Sequence, residues 1–222
     1  MNFTFAAIDI GVTVEEKAQM LQEVKNVPDQ MHHYNEFRGC RMIGIYNGGG
    51  RLGGRVPGID TKEGKFEYTL AGKECPTIQK VCEEKIFPFM NPAGRVTILR
   101  TEPGCGLNIH LDSTLKEVRT RQHKFRLVLN GNIEKLFFMD SKGNRVYVPK
   151  HYDCYSMDGS HPHSIDPGKE EKITLCVGAP WHGEDNEIYQ HLIDDALFKM
   201  KVSRPTDIPL EWLDPFFVVK KH

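Results

Sequence analysis

The sequence predicts a mainly β protein with flanking helices, its strands closed into a barrel or a two-sheet jelly roll. Between residues 95 and 180 the chain breaks into short segments rich in β-formers: RVTILR, GLNIHLD, KFRLVLN, KLFFMD, RVYVP, CYSM, HSI and KITLCV. Turn residues separate almost all of them. Asn130-Gly131-Asn132, Ser141-Lys142-Gly143-Asn144 and Asp166-Pro167-Gly168 have the chemistry of tight antiparallel connections. Helical periodicity lies outside this stretch, which argues against alternating βαβ units.

Three helices are expected around the β region. Thr13 and Glu16 have capping-box spacing, and Val14, Ala18, Leu21 and Val24 then recur at helical intervals until Pro28, giving a helix from about 14 to 26. Pro76 suits a first helical position, and Ile78, Val81, Cys82 and Ile86 share one face before Pro88, giving a second from Pro76 to Phe87. Ile188, Leu192, Ile193, Ala196, Leu197 and Met200 form a stripe that predicts a third from about 186 to 201.

With 222 residues, 39% hydrophobic and 27% charged, the chain fits one good-sized domain and excludes fibrous and disordered classes. No Pro/Ser-rich linker or repeat divides it. The expected organisation is a single domain over 1–222, with N-terminal helices and substrate-side elements in 1–94, the β core in 95–181 and a C-terminal helix and tail in 182–222. The 29 basic and 30 acidic residues are interleaved, which argues against a nucleic-acid platform. No run approaches the roughly 20 apolar residues of a membrane-spanning helix. The opening MNFTFAAIDI has no basic segment and carries Asp9, so a cytoplasmic location is the expectation. The six cysteines are scattered without a CxxC pair, which fits reduced thiols rather than a zinc ribbon or a disulfide framework. Oligomeric state is left open; the apolar stretch IPLEWLDPFFVV can cover the barrel or make a dimer contact, and covering its own barrel is the expectation.

The glycine-rich run NGGGRLGG, residues 47 to 54, lacks a GKS or GKT ending and a following amphipathic helix, so it reads as a flexible loop rather than a phosphate cradle.

The chemistry is concentrated in GLNIHLDS. On a strand, side chains at i and i+2 project from one face, so His110 and Asp112 are aimed into a common space. DGSHPHSI offers a third donor, His163 or, two residues earlier, His161. Two histidines and one carboxylate on three corners of an octahedron are the facial triad of non-haem Fe(II), with open positions left for ligands. Of the remaining histidines, His32, His33, His123, His151, His182, His191 and His222 are expected to be structural or solvated.

Over residues 95 to 181 these segments resemble the 2-oxoglutarate- and Fe(II)-dependent oxygenases, and within them the aspartyl/asparaginyl β-hydroxylase-like group, which is related to the prolyl hydroxylases. LRTEPGCGLNIHLDS is similar to the segment in which a Pro-Gly turn leads to the first metal histidine, HKFRLVLNGN to the strand after it, and MDGSHPHSI with KITLCV to the distal-histidine strand and its successor. The resemblance implies a double-stranded β-helix core, Fe(II) on His110, Asp112 and His163, and His161 in a supporting or surface place.

It also implies a cation one hairpin beyond the last histidine to meet the distal carboxylate of 2-oxoglutarate, which falls on Lys172, where the group more commonly has Arg. An inward ammonium there is costly to desolvate unless an anion meets it. Arg126, in HKFRLVLN, matches the position of a second co-substrate cation, with Arg121 or Arg119 as alternatives if the register differs. Asn108 and Ser160 would lie beside the ligands and orient them. The implied activity is O2-dependent hydroxylation of an unactivated C–H of an amino acid, free or within a peptide or protein, with 2-oxoglutarate converted to succinate and CO2. A cupin-like metal enzyme without 2-oxoglutarate and a non-catalytic binding module on the same fold are the alternatives.

Overall fold

The computed structural model describes residues 3–35, 40–47, 66–91, 94–112, 123–178, 187–188 and 190–213. In chain order the elements are β1 (Phe5–Ala7), α1 (Val14–Asn26), β2 (His33–Asn35), β3 (Cys40–Asn47), β4 (Glu67–Tyr68), α2 (Leu70–Lys73), α3 (Pro76–Val81), β5 (Met90–Asn91), β6 (Val96–Thr101) and β7 (His123–Asn130). There follow β8 (Leu136–Met139), β9 (Arg145–Tyr147), β10 (Cys154–Asp158), β11 (His163–Ile165), β12 (Lys172–Val177), β13 (Glu187–Ile188), α4 (Gln190–Asp194), β14 (Phe198–Met200) and α5 (Leu210–Leu213).

A large antiparallel sheet runs β14-β1-β10-β7-β12-β6-β3-β2, with β4 on β3, and a small one runs β11-β8-β9. The segment before His110 extends the small sheet beyond β11, because Leu107 N–H donates to the Ile165 carbonyl and His110 bridges His163. From β6 onward the chain therefore alternates between sheets: β6 large, the His110 segment small, β7 large, β8 and β9 small, β10 large, β11 small, β12 large. This alternation is the double-stranded β-helix, the jelly-roll form of the expected β architecture.

Strand alternation divides the apolar residues between two cores. Ile173, Leu175 and Val177 of β12 join Leu127 of β7 in a cluster covered by Met20 and Val24 of α1 and by Ile78 of α3. On the opposite face, Phe5, Val128, Phe138, Tyr155 and Met157 pack between the sheets. Lys172, Thr174 and Cys176 belong to that second face.

The first helix forms over Val14–Asn26, with Thr13 and Glu16 closing both halves of the capping box at 3.1 and 2.9 Å. The second is α-helical only to Val81, then widens into a π turn over Cys82–Ile86 and tightens to 3-10 at Phe87–Phe89. Pro88 brings no N–H to the ladder there. Its start is capped from outside: the buried Glu23 of α1 accepts from Thr77 N–H at 2.9 Å and Ile78 N–H at 3.2 Å.

The expected helix from 186 to 201 does not form. Only Gln190–Asp194 is helical, while Glu187–Ile188 pairs with β5 and Phe198–Met200 pairs with β1. The stripe serves two cores: Ile193 packs on the helix side, whereas Phe198 and Met200 pack between the sheets, so tertiary pairing overrides the 3.6-residue period. Strands β1 and β3 also extend the large sheet from the N-terminal part, where the sequence reading expected helices and loops. Among the three expected hairpin turns, only Ser141–Asn144 joins paired neighbours, β8 and β9. The turns at 130–132 and 166–168 cross from one sheet to the other, since turn chemistry specifies a reversal and not the sheet that receives it. Residues 48–54 of the glycine-rich run, Arg119, Arg121, His182, His222 and the segment from 214 onward lie outside the described residues.

Replacing Thr13 with Ala removes one N-cap and is expected to cost about 1 kcal/mol. Glu23→Ala strips a buried charged acceptor from two N–H donors and is expected to cost about 2 to 3 kcal/mol. Urea unfolding of both variants checks the order, which reverses if Glu23 is a bystander.

Candidate metal centre

The centre is built by backbone pairing. His110 and His163 exchange N–H to carbonyl bonds at 3.0 and 3.1 Å, placing the two imidazoles side by side with ring centroids 4.6 Å apart. Gly106 permits the approach, since a Cβ there would lie 2.7 Å from the Ile165 carbonyl oxygen. The Ser164 hydroxyl donates to the Leu107 carbonyl and ties the same two segments together.

His110 and Asp112 were expected on one continuous strand. The structure instead has an isolated bridge at His110 and a bend at Asp112. The ladder stops because the next N–H groups are taken elsewhere, Leu111 donating to the Trp212 carbonyl of α5 and Asp112 to the Gly159 carbonyl, both at 2.9 Å. The carboxylate still turns to the imidazoles.

One donor atom from each of His110, Asp112 and His163 lies within 4.8 Å of the others. Asp112 Oδ1 is 3.7 Å from His110 Nε2, and Asp112 Oδ2 is 3.6 Å from His163 Nε2. These separations exceed a hydrogen bond and leave room for an ion among the three donors. Both rings present the correct edge. His110 Nδ1 meets the Asn108 carbonyl at 2.7 Å and His163 Nδ1 meets the His161 carbonyl at 2.8 Å. A carbonyl only accepts, so each Nδ1 carries a proton and each ring turns its Nε2 edge to the centre. Burial, reinforced by the neighbouring His110, pushes the His163 pKa down to about 3, so this imidazole is uncharged at neutral pH. Two imidazole nitrogens and one carboxylate suit a non-haem iron-type ion.

Two cations share the interior. Arg126 on β7 holds Nη2 3.8 Å from Asp112 Oδ2 and donates through Nη1 to the Phe125 carbonyl at 3.2 Å. Lys172 opens β12 on the face of Thr174 and Cys176, and Cys176 is the cross-strand partner of Arg126. No carboxylate of the described residues lies within 4 Å of the Lys172 ammonium. Burial pushes its pKa down to about 8, Cys176 opposing and Arg126 adding to the shift. Beside it, the buried Thr174 hydroxyl has no hydrogen-bond partner among the described residues. Tyr155, paired with Arg126, has its phenol pKa pushed up chiefly by burial and therefore stays protonated. A cavity of about 210 Å³ is lined by Lys172 together with Gly131, Ile165 and Glu170, and none of the three donors lines it.

The other expected site residues take distinct places. Asn108 is exposed and holds His110 through its carbonyl rather than its side chain. Ser160 donates its hydroxyl and its N–H to Asp158 Oδ1 at 2.6 and 2.9 Å, fixing the turn whose Gly159 carbonyl receives Asp112 N–H. His161 is buried, its Nε2 is 2.8 Å from the Met139 carbonyl, and it stands outside the donor cluster. Thr174 and Tyr155 escaped the sequence reading. Alternation with Lys172 was the available signal for Thr174; Tyr155 depends on the pairing of β10 with β7, which no local pattern displays.

No protein-family model matches the chain, and no curated protein matches it by sequence. Solved structures do match. HygX from Streptomyces hygroscopicus, with nickel, 2-oxoglutarate and hygromycin B bound, aligns at TM-score 0.53 and 9% identity, over 91% of this chain and 93% of that one. The non-haem alpha-ketoglutarate-dependent epimerase SnoN from nogalamycin biosynthesis aligns at 0.52 and 12%, over 80% and 77%. An oxidoreductase of the 2OG-Fe(II) oxygenase family from Burkholderia pseudomallei aligns at 0.50 and 10%, over 87% and 83%. At these identities the likeness is one of architecture: the chain shares the double-stranded β-helix of these proteins.

Proposed function

We propose that the protein is an Fe(II)- and 2-oxoglutarate-dependent oxygenase, aspartyl/asparaginyl β-hydroxylase-like, that hydroxylates an unactivated C–H of an amino acid, free or within a peptide or protein, in the cytoplasm. The observation that carries this reading is the convergence of two imidazoles and one carboxylate in the same interior as a lysine that has no carboxylate partner among the described residues. A metal answers the first feature and a small dianion the second. The architecture shared with HygX, whose solved structure has nickel and 2-oxoglutarate bound, supports the pairing.

His110, Asp112 and His163 would hold the iron, and Lys172, with the Thr174 hydroxyl beside it, would receive the distal carboxylate of 2-oxoglutarate. When bound, iron and 2-oxoglutarate supply the oxidising chemistry, in which O2 is consumed, succinate and CO2 leave and one oxygen enters the substrate C–H. The protein supplies geometry. The Asn108 and His161 carbonyls fix the tautomers of the two ligands, Arg126 balances the Asp112 charge, and the packed Phe138 and Met157 exclude water from the interior. None of these steps requires a general acid or base from a side chain.

Anaerobic titration of metal-free protein with Fe(II) and then 2-oxoglutarate is expected to develop the weak visible charge-transfer band of a chelated 2-oxo acid. The band is expected to be absent in His110→Ala. In Lys172→Ala, 2-oxoglutarate affinity is expected to fall at least roughly tenfold, the equivalent of about 1.4 kcal/mol, with metal affinity retained. Tight metal binding with no band in the wild-type protein would overturn the oxygenase reading in favour of a cupin-like metal enzyme.

The Lys172 shift gives a pH dependence. The charged ammonium is the binding form, so 2-oxoglutarate affinity is expected to weaken as pH rises above about 8. Stability of the ligand-free protein moves the other way: between about 8 and the ordinary 10.5 the unfolded chain holds a proton that the folded chain has lost, and stability gains with rising pH. Calorimetric titrations across that window check both signs, and a flat affinity profile would place the ammonium outside the binding site.

A further inference from the structure

The inward direction of Lys172 has an identifiable mechanical origin. Strand β12 pairs with β6 without interruption from Lys172↔Thr101 to Val177↔Val96. On its other side the register with β7 slips between Ile173 and Thr174, whose partners are Asn130 and Val128, so Leu129 is the extra residue of a β-bulge. The backbone ladder with β7 ends at Ile173, one residue short of the lysine. Asn130 supplies the missing rung with its side chain, the amide donating to the Glu171 carbonyl at 2.6 Å.

Two further contacts immobilise the same peptide unit. Arg100 on β6 donates through Nε and Nη2 to Glu171 Oε1 at 2.9 and 2.8 Å, which holds the Glu171 side chain away from the interior. Gly131, at φ +86°, lies against Lys172 so closely that a Cβ would sit 3.1 Å from the lysine Cα and 3.2 Å from the Glu171 carbonyl oxygen. With Glu171 drawn outward and the peptide clamped from β7, the next side chain on the strand must project inward.

We propose that Asn130, acting with the Arg100–Glu171 pair, is a positioning residue that aims Lys172 at the distal carboxylate of the co-substrate and thereby sets co-substrate affinity. This rests on the oxygenase reading above. Asn130 is not one of the three metal donors, and its side chain holds the Glu171 carbonyl next to the lysine.

The test is a double-mutant cycle in the full chain, with Asn130→Ala, Lys172→Ala and the double variant loaded with Fe(II) under anaerobic conditions and titrated with 2-oxoglutarate. Asn130→Ala is expected to weaken 2-oxoglutarate roughly tenfold with metal affinity unchanged, and to have no further effect once Lys172 is Ala. An equal loss in both backgrounds, or no loss in either, would overturn the proposal. Asn130→Leu, similar in shape but without the donor, gives the same expected result should the Ala variant fold poorly. A second readout needs no co-substrate: competitive acetylation of the metal-free protein, followed by mass spectrometry, reports the titration of Lys172 itself. Removal of Asn130 is expected to move that titration up towards an ordinary lysine, and an unmoved titration would overturn the proposal. A wild-type protein that binds no 2-oxoglutarate but shows the acetylation shift would sink the oxygenase reading and keep the positioning role.

Discussion

The structure turns on the pair of reciprocal backbone hydrogen bonds between His110 and His163. Through them the small sheet gains its fourth segment, and two imidazoles from distant parts of the chain stand side by side. The N–H groups after His110 are drawn off to Gly159 and Trp212, and this bends the chain so that Asp112 faces both rings. Without the bridge, neither the alternation of strands between sheets nor the convergence of donors would be complete. Gly106 and the Ser164 hydroxyl serve the same closure from either side.

A second constraint is the division of labour across β12. One face is purely apolar and belongs to the core under α1 and α3; the other carries an ammonium, a hydroxyl and a thiol. A polar face turned inward costs free energy, and the lowered Lys172 pKa is the electrostatic expression of that cost. Arg126 is tolerated beside Asp112 because the two charges offset each other. Lys172 has no such counterweight among the described residues, and the interior is correspondingly disposed towards an anion.

Much of this was legible in the sequence, for local reasons. The capping box at Thr13 and Glu16, the apolar stripe to Val24 and Pro76 at a helix start are short-range signals, and α1 and α3 follow them. The β segments were legible from residue 95 onward because turns punctuate them. Strands β1 and β14 were not, since three-residue segments acquire strand character only from their partners; Phe198 and Met200 satisfied a helical stripe as readily as a strand face. Spacing pointed to His110 and Asp112 and the family resemblance to His163 over His161; the three do converge, although Asp112 reaches the cluster by a bend rather than by strand alternation. Asn130 and Tyr155 were beyond a local reading, because their roles arise from a bulge and a sheet register that no single segment encodes.

Strand β1 lies between β10 and β14, and just before it Thr4 receives Val202 N–H on its hydroxyl at 2.9 Å, across 198 positions of sequence. The loop closed by that contact spans nearly the whole described chain, so closing it directly from the unfolded chain carries a large entropy cost and gains little until the rest of the large sheet exists. Hairpin pairings such as β8 with β9 close short loops, whereas the seam that joins Thr4 to Val202 depends on strands brought together from both ends of the described chain.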